Sequence, residues 1–297
     1  MPPRQLTILI TGCSPGGTGA ALATAMHNAG HRVFATTRNP SKLSELSGHG
    51  IETVAMDITS TSSITSALSA VSSSLPKGKG LDMLINNAAT NYTMPIADAP
   101  LDTAREVFET NVWGQLAVTQ AFLPLLLKSA TATFQPLIVN HTSVGSVAAL
   151  PFQGVYNSSK AAFAMLSDTM RLELAAFGIR VVELKTAGVR TNLISNSKFN
   201  TESDRLPKGS IYNPAREIVE KAMSQEELRV IGISADEWAA QVSAPLLSQN
   251  PPRVIWRGES ALVSRIASML PSWIFEGMLK KMTKLNLVED IIQESRR

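Results

Sequence analysis

The chain has 297 residues, 44% of them hydrophobic and 17% charged, and 27 basic against 24 acidic residues give a formal charge of +3. Such a composition suits a soluble globular protein with one large core and excludes a disordered chain; with no run of five basic residues, a nucleic-acid role has no support. The lone Cys13 rules out an internal disulfide and fits a reducing, cytoplasmic setting, while no signal peptide or run of 18 apolar residues is present.

In chain order, the first strand-like run is LTILIT at 6–11, which passes into TGCSPGGTG, Thr11 to Gly19, ahead of a helix expected over 19–29. Glycines in a strand-to-helix turn let the backbone approach a pyrophosphate. Its charge then sits against the free N–H groups and positive dipole of the helix N-terminus. Gly12, Ser14, Gly17, Thr18 and Gly19 are therefore candidate cofactor residues, and Cys13 reads as a small packing residue. The second strand, RVFATT at 32–37, runs into Arg38, and no acid follows before Glu45. A carboxylate there would repel a 2′-phosphate, whereas a guanidinium forks onto it. Arg38 thus favours NADP(H) over NAD(H).

Further strands are expected at ETVAMD (52–57), LDMLINN (81–87), PLIVNHTS (136–143), IRVVELK (179–185) and RVIW (253–256), with helices over 62–74, 103–127 and 156–177. Strands and helices in alternation imply an α/β fold, a doubly wound parallel sheet covered on both faces. In FQGVYNSSKAAF, Tyr156 and Lys160 stand one helical turn apart on a shared face. A cation beside a phenol favours the phenolate and lowers its pKa, which makes the pair a candidate for proton transfer. An exposed tyrosine beside a solvated lysine is the plainer alternative.

TGCSPGGTG, Asp57 after the third strand, NNAA at 86–89, Asn111 in NVWG, Ser143 and YNSSK together resemble the ordered motifs of the short-chain dehydrogenase/reductase family, with Ser143 13 residues before Tyr156. The resemblance covers about residues 5–260. Through GCSPGG, VFATTRNPSKL and LELAAFGIRVVELKTAGVRTN it resembles fungal NADPH-dependent reductases of the 1-acyldihydroxyacetone-phosphate type. It implies a Rossmann fold in which Tyr156 is the acid/base and Lys160 lowers its pKa and holds the nicotinamide ribose. Ser143 would hold the substrate oxygen, and Asn111 would position a water linking Lys160 to solvent. Asp57 would meet the adenine, Asn87 would lie along the cofactor, and Val189 and Thr191 would contact its carboxamide and phosphate side. No metal is implied. Hydride arriving at a carbonyl carbon leaves negative charge on oxygen, which suits donors such as Ser143 and Tyr156.

This chain departs from the family pattern in a glycine turn one residue longer, in Thr18 for an apolar residue, in Ala89 for glycine and in Ala187 for proline before Gly188. Ala89 is expected to tighten the space beside the cofactor and Ala187 to loosen the start of the substrate loop. His141 reads as a hydrogen-bonded strand residue on the face of Ser143.

Residues 1–260 form one expected domain, with 189–250 a cover over the nicotinamide face. In that cover Ile194, Phe199, Leu206, Ile211, Tyr212 and Trp238 suit a lipophilic ketone or alcohol, or else belong to the core. Residues 261–297, with Trp273, Phe275, Lys280, Lys281 and Lys284, suit two arrangements. One is a helix lying on a membrane surface such as the endoplasmic reticulum or a lipid droplet; the other is a helix packed on the body or on a second subunit. The expected function is NADPH-dependent reduction of a lipophilic ketone, either an acyl-dihydroxyacetone phosphate or a fungal polyketide or terpenoid intermediate. The alternative is a cofactor-bound protein without redox turnover, a sensor or scaffold, for which keeping Asn111, Ser143, Tyr156 and Lys160 together has no use.

Overall fold

In the computed structural model, which describes residues 4–194 and 205–297, the β-rich runs settle as β1 (Thr7–Ile10), β2 (Arg32–Thr37), β3 (Glu52–Ala55), β4 (Met83–Asn86), β5 (Leu137–Ser143) and β6 (Arg180–Thr186). Two short strands, β7 (Val189–Arg190) and β8 (Ile233–Ser234), pair with each other, and β9 (Val254–Arg257) returns to the main sheet. Its order is β3-β2-β1-β4-β5-β6-β9, parallel throughout. Parallel neighbours need crossovers, and these are α1 (Thr18–Asn28), α2 (Ser44–Gly48), α3 (Thr61–Ser74), α4 (Leu101–Phe108), α5 (Gly114–Ser129), α6 (Gly154–Glu173), α7 (Arg216–Ser224) and α8 (Ala235–Leu246). Beyond the sheet lie α9 (Ala261–Ala267), α10 (Glu276–Met282) and α11 (Leu285–Ser295).

Side chains alternate across each strand, so β1 sends Ile8 and Ile10 to one face and Leu9 to the other. The first face is packed by Leu22 and Met26 of α1 and by Trp238, Val242 and Leu246 of α8. The second is packed by Ile64 and Val71 of α3, Val118 and Phe122 of α5, and Met170 of α6. Burial on both faces explains why the strands read as continuous apolar runs.

Three expectations change. The stretch expected as a helix at 103–127 is helical throughout, from Leu101 to Ser129, but not uniformly so: α4 gives way to a π-helical turn, Glu109–Trp113, before α5 begins. That wider turn carries Asn111 into the interior, where it is fully buried. Part of the stretch expected as a cover at 189–250 belongs to the core, because α8 lies under the sheet against α1 with Trp238 wholly buried. Of the apolar residues assigned to the cover, Phe199 falls outside the described residues. Finally, 261–297 is three short helices, and the last packs Val288 against Val219 and Met223 in a third apolar cluster that includes Tyr92, Met94 and Phe152.

Candidate active site

Strand order reverses between β1 and β4, where crossovers leave the sheet in opposite directions and open a crevice at the strand carboxyl ends. A cavity of about 1150 Å³ lies there, lined by Gly12, Ser14, Gly17, Thr18, Arg38 and Asp57 on one side and by Asn87, Ser143, Tyr156, Lys160, Val189 and Thr191 on the other. It runs across the ends of β2, β1, β4 and β5, three strand spacings or about 14 Å. The expected site residues thus share one wall system, apart from Gly19 and Asn111, which support it from behind.

The glycine turn is shaped for a close backbone approach. Gly12 has φ +74°, and a Cβ there would stand 2.6 Å from the Cα of Ala88; a Cβ on Gly19 would stand 2.5 Å from the Gly12 carbonyl oxygen. Helix α1 starts at Thr18 without a side-chain cap, so its first N–H groups are free for an anion. Asn87 locks turn to sheet: its amide donates to the carbonyls of Thr11 (2.7 Å) and Gly12 (3.1 Å), and its oxygen accepts from the Thr18 hydroxyl (2.9 Å). The polar Thr18 therefore has a structural task. Thr11, missed in the sequence, accepts from the N–H groups of Asn87 and Ala88 at 2.9 Å each. Its place at the end of β1 was the available signal. These features fit a dinucleotide phosphate. Arg38 and Lys42 both border the cavity at the end of β2, and Lys42 was likewise not foreseen.

At the end of β5 the hydroxyl of Ser143 stands beside the phenol of Tyr156, close enough to lower its pKa, and accepts the Gly145 N–H at 3.1 Å. Lys160 is buried one turn along α6, donates to the His141 carbonyl at 3.0 Å and lies 6.0 Å from the centre of the Tyr156 ring. Burial lowers the Lys160 ammonium to about 8. Burial also raises the Tyr156 phenol above its ordinary value, against a smaller lowering by Ser143. The expected depression of the phenol by Lys160 is therefore not found: the ammonium is turned toward a carbonyl and burial dominates. Asn111 donates to the Thr90 carbonyl (2.9 Å) and to Ser159 (3.0 Å) and accepts the Thr90 N–H (2.8 Å). Its side chain braces the loop after β4 against α6.

His141 bridges the two ends of the site. Its Nδ1 lies 2.9 Å from the Asn87 oxygen, which accepts only, so Nδ1 carries the proton and Nε2 accepts from Thr186 at 2.6 Å. The ring stacks on Trp238, with centroids 5.1 Å apart. Burial first, then the charge of Lys160, pushes its pKa down to about 3 and keeps it neutral.

After β6 the substrate loop is held more firmly than expected. The Ala187 N–H donates to the Arg257 carbonyl at 2.8 Å, a bond that proline could not make. Asn192, unremarked in the sequence, ties this loop to the glycine turn by donating to the carbonyls of Gly16 (3.2 Å, backbone) and Pro15 (3.1 Å, side chain). Among the described residues no three His, Cys, Asp or Glu side chains gather to hold a metal ion.

Comparison with known proteins agrees with this geometry. The family model described as short chain dehydrogenase matches residues 6–202. A short-chain dehydrogenase/reductase of Pestalotiopsis microspora is 46% identical over 287 residues, covering 97% of each chain. The NADPH-dependent 1-acyldihydroxyacetone phosphate reductase of Schizosaccharomyces pombe is 31% identical over 94% of each chain. Among solved structures, a short-chain dehydrogenase from Streptomyces avermitilis shares the fold, with a TM-score of 0.74 at 24% identity over 95% of this chain and 97% of that one.

Proposed function

Because this chain belongs to the short-chain dehydrogenase family, an oxidoreductase family that uses nicotinamide cofactors, we propose that it is an NADPH-dependent reductase converting a lipophilic ketone to a secondary alcohol. The observation that carries the reading is the adjacent pair of Ser143 and Tyr156 hydroxyls on the wall of a cavity that also presents Arg38 and Lys42, after a strand three places away in the sheet. That separation suits the two ends of a dinucleotide, with a 2′-phosphate between the cations and the reacting ring beside the hydroxyls. Glycine-turn N–H groups would receive the pyrophosphate.

NADPH, held by the glycine turn, Arg38 and Lys160, would supply the hydride for the carbonyl carbon. Ser143 and Tyr156 donate to the ketone oxygen and orient it, and as charge builds there the Tyr156 O–H bond breaks and the proton passes to oxygen. A phenol raised by burial is fully protonated at neutral pH, the state that reduction needs. Lys160, charged below about pH 8, stabilises the phenolate left behind and holds the cofactor ribose. His141, locked neutral, keeps Asn87 and Thr186 in register beneath them.

Tyr92, Met94, Val107 and Leu193 give the substrate side an apolar wall. This and the similarity to the Schizosaccharomyces pombe reductase favour a long-chain ketone of the acyl-dihydroxyacetone phosphate kind over a small polar one. The test is loss of NADPH absorbance with a panel of acyl-chain and cyclic ketones. Turnover by the wild type and none by Tyr156→Phe is expected; binding of NADPH without turnover of any ketone would overturn the reductase in favour of a cofactor-bound sensor.

A further inference from the structure

The stretch from Ala261 to Lys284 is unlike the rest of the chain. Ala261 is its single buried residue, although the stretch is rich in large apolar side chains. Leu262, Val263, Ile266, Met269, Trp273 and Met278 each leave between 50% and 70% of their surface in solvent. So many large apolar side chains left in solvent along one short stretch of a folded chain mark something that it meets. Its charge says what. The stretch holds Arg265, Lys280, Lys281 and Lys284 against one carboxylate, Glu276. Lys280 is paired with Glu289 and Lys284 with Glu227, whereas Arg265 and Lys281 have no ion pair among the described residues.

We infer that this stretch is a platform that seats the protein on an anionic lipid bilayer. Leu262, Ile266 and Trp273 enter the boundary between headgroups and acyl chains, and Arg265 and Lys281 meet the headgroup phosphates. Trp273 has the amphipathic ring that favours this depth. No helix among the described residues is long and apolar enough to cross a membrane, so the contact stays at the surface. An isologous contact with a second copy would bring together two faces that each carry unpaired cations, a repulsion that an anionic surface turns into attraction.

The platform also adjoins the site. Just before it, Glu259 and Gly188 exchange backbone hydrogen bonds of 2.9 and 3.2 Å, and the neighbours of Gly188, Ala187 and Val189, line the cavity. Just after it, α11 packs Val288 into the apolar cluster of Tyr92 and Met94, which line the same cavity. Seating would thus bring the cavity close to a ketone dissolved in the bilayer, a step that rests on the proposed reductase; the seating itself does not.

The full-length protein is floated with vesicles of phosphatidylcholine alone and of phosphatidylcholine with phosphatidylglycerol. Association with the anionic vesicles is expected, at least about tenfold above the neutral ones. The double variants Ile266→Asp/Trp273→Asp and Arg265→Glu/Lys281→Glu should each lower it about tenfold or more while keeping the wild-type melting temperature and NADPH affinity, since all four positions are exposed. A chain that stays in the soluble fraction with both lipids overturns the platform, as do variants that float like the wild type. Self-association through this face, abolished by Ile266→Asp/Trp273→Asp, would also overturn it in favour of an interface between copies. A failure of the ketone panel would leave the flotation result standing, so the two readings fail separately.

Discussion

The two sides of the cavity are built in different ways. The cofactor side comes from consecutive elements: β1, the glycine turn and α1, then β2 and Arg38, with Asn87 one strand over. The proposed substrate side is backed by remote pieces: Tyr92 and Met94 line the cavity, and behind them Phe152, Leu206, Val219 and Met223 pack in one apolar cluster with Val288 near the chain end. Local backbone geometry fixes the first, while long-range burial fixes the second. Changes on the cofactor side should therefore act on one chemical task each, and changes on the substrate side should spread into both ketone affinity and stability.

The largest effect is expected where the sides meet. Tyr156→Phe removes the proton donor with little change in volume, so turnover should fall by about 10²- to 10⁴-fold while NADPH titrated by fluorescence binds as before. A near-normal rate would show that the hydroxyl pair is not catalytic. Under the cofactor side, His141 titrates near 6.5 in the unfolded chain and at about 3 in the folded one. Between those values the unfolded state holds the extra proton, so stability is full above pH 6.5 and declines toward pH 3, by up to about 1.4 kcal/mol per pH unit. Urea melts from pH 7 to 4 should be flatter in His141→Gln; an equal slope would place the acid sensitivity elsewhere.

At the far end of the cofactor side, Arg38→Ala should weaken NADPH by about 10- to 100-fold and leave NADH unchanged, the loss of charge-assisted bonds to a 2′-phosphate. Equal weakening of both would remove the 2′-phosphate from that position. The smallest change tests the substrate side. Val288→Ala, far from any reacting atom, should cost about 1–3 kcal/mol of stability and raise the ketone KM several-fold with NADPH affinity intact. An unchanged KM would separate α11 from the cavity wall and break the contrast between the sides.

That contrast also separates what could be read in the sequence from what could not. The parallel sheet, the glycine turn, the placement of Arg38 and the union of Ser143, Tyr156 and Lys160 in one wall were all legible, because each rests on spacing within a few residues or on strand order. Trp238 was legible only as apolar, and that it lies under His141 depends on where α8 packs. Ala187 suggested a loosened loop because its N–H partner, Arg257, is seventy residues on. The phenol of Tyr156 shows the same limit: a nearby lysine argues for a lower pKa, but the direction of its ammonium and the depth of burial decide the sign. The π-helical turn at Asn111 has no signature in its residues, since its bonds to Thr90 and Ser159 are made across the fold.

The strand order has a consequence for how the molecule comes into being. Every neighbouring pair in the seven-stranded sheet is parallel, so no pair can form as a hairpin, and each waits for its crossover to be made. A nascent chain that already contains Ser143, Tyr156 and Lys160 still lacks Trp238 and the last strand, Val254–Arg257. Until these emerge, the ring of His141 has no stacking partner, and Val182 and Leu184 of β6 lack the side chains of α8 that bury them. Such a chain displays an unpaired strand edge and bare apolar surface, the features that draw folding intermediates into aggregates. Ser143, Tyr156 and Lys160 are thus synthesised well before the floor that holds them, and the cavity wall is complete only when the last core strand docks.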